Sequence, residues 1–348
     1  MSLAIGNTGE REAKHLSTFS MPELFDLQKR VLSDNMELQD IVERFGNRVL
    51  PLYRQDPFMT GMGEWKTLTE TDTQTYGNEQ PEGTNPTMIS YGIGRTLNYT
   101  YVDYGNATTV TERAIRNNKY REVFEQLISL PRLLNNRRYL DGVHQLTFGN
   151  VDSYTNMDGR VVDMLTVDGI RPFHASHTLP HSSSTWSNLV PSNPVASKAG
   201  IIAAELLFKT NILDGFGVRK VMEPTHLITS DDPETVYNVR QFMNSSTEVG
   251  QDNPGVINAL NKYTHVVLPQ LDSDANGAYD STKRKWWILG RFGTSDGVDM
   301  RYSEAEGIQV LPPHKDEMNG NVTSRVKGAW VFKIVAARGA VLSTGAGS

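Results

Sequence analysis

From Tyr120 onward, apolar residues recur at three- and four-residue steps: Tyr120, Val123, Phe124, Leu127, Ile128, Leu130 and Leu134. That period places them on one face of an amphipathic helix. Thr111 and Glu112 supply a start, a hydroxyl for free amides and a carboxylate for the positive end. The pattern predicts a helix from Thr111 to about Phe148, on the order of 50 Å long at ~1.5 Å per residue. Pro131 lies inside it and is expected to kink it. Beyond Pro131 the apolar set resumes with Leu133, Leu134, Leu140 and Val143. A second stripe, with Leu24, Leu27, Val31, Leu38 and Phe45, predicts a helix over Met21–Phe45, entered through Pro22 and stopped by Gly46. Residues 1–20 are polar and form an arm with no core of their own.

Between the helices the period changes to two. Thr67, Thr69, Thr71, Thr73 and Thr75 alternate along one arm, NEQPEGTNP makes a turn, and Leu97, Tyr99 and Tyr101 alternate on the return. This is a long β-hairpin with few large apolar residues to anchor it, and two strands alone are marginal in water. It needs a surface to lie on, and another subunit is one candidate. Further along, Val195–Leu213 predicts a helix and Thr225–Ser230 a strand. Asp232–Met243 predicts a short helix, and Tyr263–Leu268, Lys285–Leu289 and 328–341 predict strands. The order is mixed, an α+β chain without internal repeats.

Composition narrows the function classes. A net charge of −6 argues against nucleic-acid binding as the main task, and the absence of cysteine removes disulfides, thiolate zinc sites and cysteine nucleophiles. No basic-then-apolar leader and no long uncharged apolar run is present, so the expectation is a soluble chain made in the cytoplasm. Two stretches carry candidate chemistry. His174, His177 and His181 in RPFHASHTLPH have a spacing that could hold a metal, but no acidic or thiol ligand stands beside them in sequence, so loop packing is the preferred reading. Gly293-Thr294-Ser295-Asp296-Gly297 matches a nucleophile elbow, yet VDMRYSEAEG after it lacks helical spacing, so a turn between strands is preferred. No catalytic, cofactor or metal residue is assigned, and the chain is not expected to be an enzyme.

The order of the pieces is more informative than any motif: polar arm, helix, long hairpin, amphipathic spine, mixed domain, closing strand. This order resembles the major capsid proteins of tailed bacteriophages, with the Hong Kong 97-type fold. RPFHASHTLPHSSSTWSNLV followed by a helix, and then EPTHLITSDDPETVYNVRQFMNS, is similar to Mu-like major head subunits. The resemblance implies an N-terminal arm and helix at 1–55, an extended loop at 56–105 and a peripheral domain with the spine helix at 106–222. It further implies an axial domain at 223–300 and return strands of the peripheral domain at 301–348. It implies self-assembly as hexamers and pentamers into an icosahedral head around double-stranded DNA, without sequence-specific binding. Scaffold, portal, maturation protease and cement proteins are the further partners it implies. No cofactor and no membrane is involved. The implied location is the virion, with assembly in the bacterial host cytoplasm. Relatives often carry a scaffolding segment ahead of the arm, whereas about twenty residues precede the first helix of this sequence.

Two alternatives stay open. An encapsulin-type compartment shell would share the fold, and a hydrolase using Ser295 or a metal in the histidine loop is the rival from another class. For the shell reading, charge suggests a contact. Residues 56–105 carry seven carboxylates against Lys66 and Arg95, whereas 111–148 carry seven cations against four carboxylates. Glu70 and Asp72 on the hairpin, and Arg116 and Lys119 on the spine, are the expected inter-subunit contacts.

Overall fold

The computed structural model describes residues 48–56, 65–72, 77, 79–86, 92–116, 120–244, 262–294 and 296–347. The expected arm and the helix over Met21–Phe45 lie outside them. Along the chain run strands β1 (Arg54–Gln55), β2 (Trp65–Asp72), β3 (Gly92–Thr100) and β4 (Val102–Val110), then helices α1 (Glu112–Arg116) and α2 (Tyr120–Thr147). Short strands follow at β5 (Ser153–Thr155), β6 (Val161–Asp163), β7 (His177–Thr178) and β8 (Thr185–Trp186). Next come α3 (Lys198–Asn211), β9 (His226–Thr229), α4 (Pro233–Asn244), β10 (Thr264–Val267) and β11 (Trp287–Gly290). The chain closes with β12 (Asp299–Lys315), β13 (Val322–Ala336) and β14 (Ala340–Ser343). Among the described residues no helix is long and apolar enough to cross a membrane.

Contacts divide the chain into two units. Among the described residues, one comprises those within Val102–Arg137 and Glu306–Ala329, and the other those within Phe45–Tyr101, Arg138–Ala305 and Trp330–Ser348. In the first, the Glu112 amide donates to Asn321 Oδ1 at 3.1 Å, and the Thr109 and Thr323 hydroxyls meet at 3.0 Å. The turn from β12 to β13 closes on Asp316, whose amide donates to the Asn321 carbonyl at 2.8 Å.

The second unit holds the main core. Its sheet runs in the order β10-β9-β11-β14, with β10 parallel to β9 and the other two pairs antiparallel. A parallel pair needs a crossover, and α4 provides it between β9 and β10. Leu227, Leu289 and Val341 share one face by register, and with Trp287 they pack among Ile201, Phe208, Val239 and Met243 of α3 and α4. Both faces of β11 and β14 are buried, which suits their unbroken apolar runs. Local chemistry sets both helix starts. The Ser197 hydroxyl accepts the Gly200 amide at 3.2 Å, and the Asp232 carboxylate accepts the Thr235 amide at 3.0 Å.

α2 runs unbroken through Pro131. Leu130, Leu134, Leu140 and Val143 are buried as their spacing predicts and Leu146 is buried with them, whereas Leu133 of the predicted set is 51% exposed. Gly142 is a requirement of packing, because a Cβ there would stand 2.8 Å from Val49 Cγ1 and 3.2 Å from the Phe332 ring. Tyr53 uses the gap, donating its hydroxyl to the Gly142 carbonyl at 2.7 Å.

Two expectations change. The return arm, expected to alternate through Tyr101, pairs with β2 only as far as Thr100, and β4 joins β13 in the sheet β1-β12-β13-β4. The stretch after Val298, expected only as part of the return strands at 301–348 with no bounds of its own, forms the 17-residue β12. Pro312 and Pro313 disguise it, but β1 pairs with β12 only at Arg301 and Tyr302. Beyond that point β12 has β13 as its strand neighbour among the described residues, and proline is tolerated on such an outer strand.

Candidate functional site: the hairpin root and its neighbouring loops

The hairpin is a two-stranded sheet of its own, paired from Trp65 opposite Thr100 to Asp72 opposite Gly92, with a register shift between Thr69 and Thr71. The predicted turn is present at its far end, where Gly83 has φ +79° and the Thr84 hydroxyl donates to the Pro81 carbonyl at 2.7 Å. Glu70 lies at the register shift, Asp72 ends β2 and Arg116 ends α1. The side chains of these three, and Lys119 altogether, lie outside the described residues.

At its root the hairpin is fastened on both arms. On the outgoing arm the Asp56 amide donates to the Tyr302 carbonyl at 2.8 Å, and the Ser303 hydroxyl donates to the Asp56 carbonyl at 2.5 Å. Arg301 bridges Asp299 at 2.5 Å and Asp56 at 3.4 Å. On the return arm Tyr99 is buried, and burial pushes its phenol pKa well up, with the Asp56 carboxylate adding to the rise. Further out, Arg95 donates to the Asp168 carbonyl at 3.1 Å and to the Thr178 hydroxyl at 3.0 Å.

The three histidines of the loop go to different partners. His177 is buried and stacks on Trp186 with centroids 4.3 Å apart, and its Nδ1–H donates to the Asp168 carboxylate at 2.7 Å. Burial works to raise the Asp168 pKa. Hydrogen bonds from His177 and Thr166 outweigh it and hold the carboxyl below its ordinary range. His174 Nδ1 accepts the Ser176 amide at 3.1 Å, while His181 stacks on Phe216 at 4.8 Å. Among the described residues no three His, Asp or Glu come together as a metal site. The Gly293–Gly297 stretch also departs from an elbow, since β12 rather than a helix follows it. Ser295 itself lies outside the described residues.

One charged group escaped the sequence reading. Asp272 is buried, and burial together with the neighbouring Asp231 carboxylate pushes its pKa up to about 6, with Asp232 and Asp280 adding to the rise. Lys283 answers it. Its ammonium donates to the Ser273 carbonyl at 2.8 Å, lies 3.4 Å from the Asp280 carboxylate and sits 4.1 Å above the Phe148 ring. The signal that could have found this loop is the D-x-D-x-N-G spacing of Asp272, Asp274, Asn276 and Gly277, with φ +79° at Gly277.

No family model matches the chain, and no curated protein matches it. Among solved structures, the chain is similar to the asymmetric unit of the cyanophage Pam1 capsid, at 13% identity and a TM-score of 0.49, covering 85% of this chain and 90% of that one. It is similar to a structure from Mycobacterium phage Patience at 10% identity and a TM-score of 0.49, covering 91% and 88%. It is also similar to the capsid of Ralstonia phage GP4, at 12% identity and a TM-score of 0.46 over 84% and 87%.

Proposed function

We propose that this chain is the major capsid protein of a tailed bacteriophage, with the Hong Kong 97-type fold, and that its copies assemble as hexamers and pentamers into an icosahedral head enclosing double-stranded DNA. The similar structures include phage capsids, but the reading rests instead on the hairpin. Two strands of eight and nine residues pair with each other and, among the described residues, with no other strand. Alone in water such a hairpin is marginal. Its root, by contrast, is fixed by Asp56, Tyr99 and Arg301. A firmly rooted ribbon without a sheet to join is suited to lying on a neighbouring copy, and repeating that heterologous contact closes a ring or shell.

In this reading 56–105 is the extended loop, the spine helix belongs to the peripheral domain, and 223–300 is the axial domain. Scaffold, portal, protease and cement proteins are the partners such a head would take, in the cytoplasm of a bacterial host. The acidic hairpin would cross the basic spine of its neighbour, with Glu70 and Asp72 against Arg116 and Lys119. Each exposed pair contributes only ~0–1 kcal/mol, so charge guides encounter and register more than final strength.

Electron microscopy and sizing of the purified chain over a range of salt are expected to show closed particles. A persistent compact monomer or dimer would sink the reading, and protein cargo in place of DNA in natural particles would move it to a compartment shell. Reversing Glu70 and Asp72 to Lys is expected to slow assembly, most at low salt where screening is weak. Adding Arg116→Glu and Lys119→Glu is expected to restore part of the rate. A four-fold variant no faster than the worse double would remove the proposed contact.

A further inference from the structure

Burial along β3 falls from root to tip on one face only. Tyr99 is buried, Leu97 and Arg95 are half-buried, and the alternating Thr96, Asn98 and Thr100 are exposed. Arg95 is therefore the outermost described side chain of β3 that meets the rest of the unit. Both of its acceptors belong to the loop that His177 holds. Thr178 is the residue after His177 in β7, and the Asp168 carboxylate is the one His177 grips. The connections continue inward. His177 Nε2 lies 3.3 Å from Asn188 Oδ1, and the Asn188 carbonyl accepts the Leu342 amide of β14 at 2.9 Å. A chain of polar contacts thus leads from the hairpin to the edge strand of the central sheet.

We infer that Arg95 is a positioning residue that fixes how the hairpin leaves its root, and that the pair of buried His177 and half-buried Asp168 is the seat on which it bears. A charged donor shared by two acceptors is stronger and more directional than a neutral bond. The seat is firm because His177 is stacked on Trp186 and bonded at Nδ1. The stretch that suggested metal chemistry is on this account part of a mechanical anchor. Its importance for assembly rests on the shell reading, whereas the anchor itself does not.

Amide exchange on the dilute, unassembled chain tests the anchor separately from any microscopy of shells. Arg95→Ala is expected to speed exchange across β2 and β3 about tenfold, the loss of a charge-assisted contact, while β9 and β11 keep their protection. Arg95→Lys should restore part of the protection, and Thr178→Val, which removes one acceptor at constant shape, should lose part of it. His177→Gln leaves β2 and β3 unaltered in sequence, yet it is expected to speed hairpin exchange too. Combined with Arg95→Ala it should add nothing further, as residues acting through one contact are not additive. Unchanged hairpin exchange in Arg95→Ala overturns the inference, as does full additivity of the two changes. Should His177→Gln fail to fold, the pair Arg95→Ala and Thr178→Val decides by the same non-additivity.

Discussion

Replacing Lys283 by methionine is expected to destabilise the folded chain by about 2 kcal/mol at neutral pH, because removing a largely buried ammonium leaves the carboxylates it faces uncompensated. The Lys283 side chain is 11% exposed, and its ammonium faces the Asp280 carboxylate and the Ser273 carbonyl. Methionine keeps most of the stem and can still lie on the Phe148 ring, so the loss reports the charge. The penalty should shrink in acid. Asp272 has a folded pKa of about 6 against an ordinary 3.8. Between those values the folded chain binds a proton that the unfolded chain does not, so this group adds stability as pH falls from about 6 toward 4. His265 acts in the opposite sense, since burial, with the nearby Arg240 and Arg48 charges, lowers its pKa to about 4. Its stability contribution is lost as pH falls from about 6.5 toward 4. Both chains carry His265, so the difference between them isolates the acidic cluster. Urea denaturation at pH 7.5 and 5.0 reads the difference directly. Equal penalties at the two pH values would refute the role given to Asp272.

Gly297→Ala is the second change with a large expected effect, about 3 kcal/mol, at the upper end for forcing an atom into packed structure. A Cβ at Gly297 would stand 2.1 Å from the Arg291 carbonyl oxygen, which also accepts the Val298 amide at 2.9 Å. The clash is with backbone, so no side-chain rotation relieves it. A turn and a nucleophile elbow differ in what they make of the serine two residues earlier. In a turn, Ser295→Ala should leave stability within about 0.5 kcal/mol and assembly unchanged. Thermal unfolding of the two variants, side by side, checks the pair. A tolerated Gly297→Ala would contradict the packing, and a loss of hydrolytic activity in Ser295→Ala would revive the rival class.

Several elements were legible because their causes are local. Three- and four-residue spacing marked α2, and the buried Leu130, Leu134, Leu140 and Val143 follow it. Ser197 and Asp232 start α3 and α4 with their own side chains, and short apolar runs marked β9 and β11. The hairpin showed itself by a period of two around a turn rich in Gly, Pro and Asn. A periodicity states which face a segment buries, and these segments each had one face to bury.

Which segments meet is settled by the folded chain alone. β4 follows the hairpin directly but pairs with β13, far along the chain, and nothing in Val102–Val110 names that partner. β12 is polar and carries two prolines, and it is a strand because β13, from further along the chain, pairs with it. In RPFHASHTLPH the three histidines look equivalent. One became a buried partner of Asp168 and the others settled on Ser176 and Phe216. Asp272 is an ordinary acid until folding buries it and brings Asp231, from the end of a distant strand, beside it. Pairing, burial and crowding of charge depend on segments separated in sequence, and local spacing cannot encode them. Spacing along the chain sets which face a segment buries, and folding sets which partner that face meets.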